Sequence, residues 1–180
     1  MQHKGKLPRL APAAYQGAAH VFWTHTTENR ARLPDGALAR AQLRELLCHF
    51  CVRYHLVTPV YCLMPDHLHL LWIGVHPEAD QRKATRQFRT AWGGVIGDAC
   101  LQRQPHDHVV TEQERQRGVY ADTVEYILQN PVRTGLVDDW RDYSGIGALV
   151  PGYPELEPRD ANFRESFWRI HRSLVTRNFG

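Results

Sequence analysis

The chain has 180 residues, with 22 Lys and Arg against 19 Asp and Glu and a formal net charge of +3. It is 43% hydrophobic and 23% charged, which gives it enough apolar surface for a core and excludes intrinsic disorder. No stretch approaches the ~20 uninterrupted apolar residues of a membrane span. No apolar run follows the basic N-terminal residues, so no secretory signal is read and the expected location is cytoplasmic. A charge of +3 permits nucleic-acid binding without announcing it, because a surface of mixed sign gives the same sum.

Gly17–Thr26 mixes β-formers with aromatics and reads as a first strand. Glu28–Gly36 is a polar loop ending in a turn signal. Ala37–Tyr54 is a helix with Leu38, Leu43, Leu46, Leu47, Phe50 and Tyr54 on one side. Leu56–Leu63 reads as a strand interrupted by Pro59, which implies an edge or a bulge. Met64-Pro65-Asp66 then turns the chain into His67–Val75, giving an antiparallel hairpin. Ala79–Trp92 returns to helix and stops at Gly93-Gly94. Cys100–Arg117 is polar and undecided. Val119–Gln129 is helical, and Asn130-Pro131 ends it, since the residue before proline is pushed out of the α region. Leu136–Pro158, rich in Gly, Pro, Asp and Tyr, reads as an ordered loop. Asn162–Arg177 places Phe163, Phe167, Ile170 and Leu174 on one helical face. The sum is an α+β domain whose antiparallel sheet is covered on one face. Cys48, Cys51, Cys62 and Cys100 lack a second C-x-x-C or a His pair at finger-like spacing, which favours core cysteines over zinc ligands.

The sharpest chemical signal is His67-Leu68-His69. Alternation along a strand sends both imidazoles to one face, where they can converge on one divalent cation, while Leu68 faces the other way. Two surface histidines meet this pattern equally well, so alone it is weak. The second signal is Tyr126 with Asn130, which share a helical face at i and i+4. The Asn oxygen is a hard donor suited to a metal, and a tyrosine beside a cation gains phenolate character. A tyrosine packed beside Ile127 on a buried face fits the spacing as well.

Together, YCLMPDHLHLLW (Tyr61–Trp72) and EYILQNPVRTGLV (Glu125–Val137) resemble the single-tyrosine transposases of the HUH nuclease superfamily, above all the REP-associated tyrosine transposases. The resemblance runs from about Gly17 to Val137 and takes in Gln102 and Pro105–Val109. It departs at Leu101, where the family often has tryptophan. It implies a ferredoxin-like (RRM-like) antiparallel sheet with helices packed on one face, a nuclease domain over residues 1–150 and a C-terminal helical extension over 151–180. It also implies Mg²⁺ or Mn²⁺ held by His67, His69 and Asn130, with Tyr126 as nucleophile. The expected reaction is cleavage and rejoining of single-stranded DNA at hairpin sites through a 5′-phosphotyrosine, by a monomer or a homodimer. His106 and His108 form a second H-x-H, and Asp66 is expected to orient the turn rather than bind metal.

For DNA contact, Arg82, Arg86 and Arg89 share a face at i, i+4 and i+7, with Lys83 beside them, and Arg133 follows the tyrosine helix. Trp23, Trp72 and Trp92 are candidates to stack on unpaired bases. Two other readings stand beside the transposase: a regulator of the same fold that only binds hairpins, and an unrelated His-metal hydrolase that uses water.

Overall fold

The apolar runs on either side of Met64-Pro65-Asp66 pair as the hairpin at the centre of the molecule. They form β2 (Leu56–Leu63) and β3 (His67–Gly74), antiparallel with Leu63 opposite Leu68. A computed structural model describes residues 9–97, 100–154 and 156–180. Around the hairpin lie β1 (His20–Thr26), α1 (Ala37–Tyr54), α2 (Gln81–Val95), β4 (His106–Val110), α3 (Glu112–Gln116), α4 (Val119–Arg133), β5 (Ile146–Leu149) and α5 (Phe163–Phe179). The sheet order is β4-β1-β3-β2-β5, with every pairing antiparallel. The first four strands with α1 and α2 make the ferredoxin-like βαββαβ frame, and β5 extends it beyond β2.

Alternation along β3 divides the core. Leu68, Leu70 and Trp72 pack with Trp23, Leu43, Leu47, Phe50, Phe88 and Trp92, which puts α1 and α2 on one face. Leu71 and Ile73 point the other way. Leu71 meets Ile127 of α4, and Ile73 meets Phe167 and Ile170 of α5. The sheet is therefore covered on both faces, not on one. The reason is legible in β2, all eight of whose residues are buried. A continuous apolar strand needs a cover on each side.

Several boundaries differ from the sequence reading. α2 runs through Gly93-Gly94 to Val95, held by the buried Phe88 and Trp92. α4 runs through Asn130-Pro131 to Arg133. It stops at Gly135 (φ +70°), where the Gly135 N–H donates to the Val132 carbonyl and the Leu136 N–H to the Pro131 carbonyl. The undecided stretch after Cys100 holds β4 and then α3, opened by a reciprocal Thr111–Glu114 cap. The expected loop 136–158 contributes β5. Pro59 marks a bulge, not an edge: β2 lies between β3 and β5, and both pairings shift register there. Leu38 is exposed although the helical pattern assigned it to the core. Cys51 and Cys62 are buried on opposite faces of the sheet, whereas Cys100 is exposed. Among the described residues, no helix is long and apolar enough to cross a membrane.

Candidate active site

β3 begins at His67, immediately after the turn, so its first two odd-numbered side chains point at the layer occupied by α4. The His67 and His69 rings lie 4.6 Å apart between centroids, and their Nε2 atoms meet at 3.0 Å. Their other nitrogens are engaged. His67 Nδ1 lies 2.5 Å from an Asp66 carboxylate oxygen, whose partner oxygen accepts from Arg30 at 3.1 Å. His69 Nδ1 lies 3.2 Å from the hydroxyl of Thr24, directly across on β1. Both Nε2 atoms thus face one point from fixed rings.

α4 supplies the rest. Ile127 is fully buried against the sheet and fixes the rotation of the helix, which sets Tyr126 and Asn130 over β1 and β3. The Tyr126 ring stands edge-on to His69 at 5.5 Å and to Phe22 at 5.9 Å, yet the residue keeps 38% of its surface exposed. Asn130 is buried and donates its amide N–H to the Tyr126 carbonyl at 2.7 Å, leaving the side-chain oxygen for other partners. It also hydrogen-bonds His69. Burial, with the neighbouring His67 as a lesser cause, lowers the His69 pKa to about 3. His69 is therefore a neutral imidazole near pH 7, with a lone pair to offer.

These donors fit a divalent cation. Cis ligands each about 2.1 Å from an octahedral ion lie about 3.0 Å apart, which matches the Nε2–Nε2 spacing. A carboxylate behind a ligating histidine is the usual arrangement for fixing its tautomer. Asp66 supplies it for His67.

The expected DNA contacts separate. Arg133 is exposed, with its guanidinium carbon 5.1 Å from the centre of the Tyr126 ring. Arg82, Lys83, Arg86 and Arg89 lie on α2, across the sheet from α4. Arg82 lies over Tyr15 at 5.8 Å, while Lys83 pairs with Asp80 at 3.5 Å. Arg86 is exposed. Arg89 turns inward to His25 and the Gln102 carbonyl. Trp23, Trp72 and Trp92 are all buried in the core and offer no face to a base. His106 and His108 share the sheet face of Phe22 and Thr24, and His108 pairs with Glu114 at 3.2 Å. Sequence reasoning missed Thr24 and Phe22, which reach the site only through the β1–β3 register.

A solved structure described as a REP-associated tyrosine transposase bound to a REP hairpin superposes with a TM-score of 0.62, covering 79% of this chain and 81% of that one. The chain has the fold of that transposase. At 20% sequence identity the likeness is one of fold. No family model and no curated protein matches the chain.

Proposed function

We propose that the chain is a metal-dependent single-stranded DNA transposase or endonuclease, cleaving and rejoining DNA at hairpin sites through a 5′-phosphotyrosine. One observation carries the reading. An exposed tyrosine and a buried asparagine, one helical turn apart, both meet His69 of a convergent histidine pair. A tyrosine serving only the core would be covered, whereas Tyr126 is open to a substrate and still touches the pair.

In this reading the Tyr126 oxygen attacks the scissile phosphorus and its proton passes to solvent. The bond from phosphorus to the 3′-oxygen breaks and that oxygen takes a proton from solvent, leaving a 3′-hydroxyl and a 5′-phosphotyrosine. Attack by a 3′-hydroxyl on that linkage reverses the step, so bond energy is retained and no ATP is required. His67, His69 and Asn130 would hold Mg²⁺ or Mn²⁺, which would supply positive charge at the scissile phosphate. Arg133 adds a cation beside the Tyr126 ring, 5.1 Å from its centre, where it can meet the scissile phosphate. Arg133 is also the basic residue best placed for the cleaved strand, with Lys83 and Arg86 as more distant phosphate contacts. The hairpin as partner rests on the hairpin-bound neighbour and on the shared fold.

The test is covalent. A labelled single-stranded hairpin incubated with the protein and Mn²⁺ gives a protein–DNA adduct that resists denaturation. Tyr126→Phe abolishes the adduct and leaves hairpin binding within about twofold. Intact binding without an adduct in the unaltered protein would overturn the enzyme in favour of a hairpin-binding regulator. Cleavage that survives Tyr126→Phe would point to a hydrolase using water.

A further inference from the structure

At the opposite end of the hairpin, roughly 25 Å along β3 at about 3.3 Å per residue, a second set of donors converges. His55 sits between α1 and β2, while His76 and Glu78 lie between β3 and α2. One ligand atom from each lies within 4.8 Å of the others. We propose that His55, His76 and Glu78 form a second metal site, for a borderline-soft transition cation of the Zn²⁺ class, independent of the site at His67 and His69.

Three observations carry this. First, the two imidazoles stack at 4.4 Å between centroids with planes 29° apart, so both rings are held together at the surface. Second, His55 occupies the left-handed position that ends α1 (φ 54°, ψ 50°). That position favours glycine or asparagine, and a larger side chain there costs on the order of 1 kcal/mol. Nothing in the helix stop needs an imidazole, and the strained residue delivers its ring to His76. Third, the backbone beneath is rigid. The Val75 N–H donates to the His55 carbonyl at 2.9 Å, and Leu56 pairs with Gly74 in the ladder.

The His76 Nδ1 lone pair is aimed at Glu78. It accepts the Glu78 backbone N–H at 3.1 Å, a bond it would exchange for the metal, and lies 4.0 Å from a carboxylate oxygen. Two ligands on a tetrahedral ion, each about 2.1 Å from it, lie about 3.4 Å apart. A small movement of the exposed Glu78 side chain closes that gap. Two imidazoles and one carboxylate suit Zn²⁺, Co²⁺ or Ni²⁺ better than Mg²⁺, which prefers oxygen ligands and keeps its waters. With three protein ligands, one coordination position stays open to water.

The test separates the two sites. A His67→Ala/His69→Ala double variant, freed of metal with a chelator, is titrated with Co²⁺ and followed by its visible absorption and by calorimetry. It binds one Co²⁺ per chain, and Zn²⁺ displaces the colour. Adding His76→Gln weakens that binding by tenfold or more, as does adding His55→Asn, which keeps a residue suited to the left-handed position. Glu78→Gln weakens it to a smaller extent. In the chain that retains His67 and His69, His76→Gln leaves formation of the DNA adduct unchanged. Absence of Co²⁺ binding in the double variant would overturn the proposal, as would an affinity unaltered by both His76→Gln and His55→Asn. Neither result bears on the transposase reading.

Discussion

Asp66 decides what His67 can do. Its carboxylate oxygen lies 2.5 Å from His67 Nδ1 and accepts the N–H there, which leaves Nε2 as the lone-pair nitrogen facing His69. Burial raises the Asp66 pKa only in part, and His67 and Arg30 together pull it below the ordinary carboxylate value. The carboxylate therefore stays ionised near neutral pH, beside the proposed metal ligand His67. Removing the charge while keeping the shape is therefore informative. Asp66→Asn weakens Mn²⁺ binding at this site about 10–100-fold, the usual cost of losing the carboxylate behind a ligating histidine. Calorimetry in the His76→Gln background, where the other histidine cluster is disabled, measures it. An affinity within twofold of the parent would mean that Asp66 serves only the turn and Arg30. Thr24 plays the corresponding part for His69 through a weaker hydroxyl contact, and Thr24→Val has the smaller effect.

α4 carries Tyr126, the proposed nucleophile, and its stop sets how firmly that residue is held. Pro131 withdraws a backbone donor inside the last turn, while the Asn130 amide and the Thr134 hydroxyl bond nearby carbonyls of that turn. Gly135 then closes the helix with φ +70°, and a Cβ added there meets nothing within 4 Å. The cost of Gly135→Ala is thus purely conformational, about 1–2 kcal/mol, and Gly135→Asn recovers part of it. Urea unfolding reads this directly, and equal midpoints for the parent chain and its Gly135→Ala variant would refute it. The same helix shows what periodicity reveals and what it hides. α1, α2 and α5 are legible because each repeats its apolar residues at the helical period, and the β2–β3 hairpin because two apolar runs flank a short turn. His67, His69, Tyr126 and Asn130 are legible as spacings on such elements. β4 and β5 are not, since four or five residues carry too little pattern and become strands only beside β1 and β2. Arg89 reads as a surface cation because a helical wheel assigns a face without saying which flank meets His25. The local rule for proline puts the helix stop at Pro131 because it takes no account of the buried Ile127, which keeps α4 on the sheet.

Covering the sheet on both faces puts histidines where water cannot reach them. His25 is fully buried beneath α2, and its Nδ1 accepts from Arg89 at 3.3 Å, which requires the neutral ring. His20 is buried under Tyr120 and His171, and its pKa is lowered to about 3, first by burial and then by Arg115 and His171. Burial, then Arg89 and Arg9, hold His25 well below the ordinary value. In the unfolded chain both titrate near pH 6.5. Below that pH the unfolded state takes up protons that the folded state refuses, so stability falls as pH falls. Each group contributes a slope approaching 1.4 kcal/mol per pH unit between about pH 6 and the folded pKa. His20 alone therefore removes on the order of 1–2 kcal/mol between pH 6.5 and 5, a sizeable share of a typical domain's 5–15 kcal/mol, and His25 acts in the same direction. Unfolding midpoints in urea at pH 7.5, 6.5, 5.5 and 5.0 change little between the first two and then drop. His20→Gln shallows that drop by the contribution of one group, whatever its own effect at pH 7.5. A profile flat from pH 7.5 to 5.0 would mean that both faces open readily to water, α2 over His25 and α4 with α5 over His20. In that case α4 and α5 would not seal the sheet around the site that Tyr126 shares.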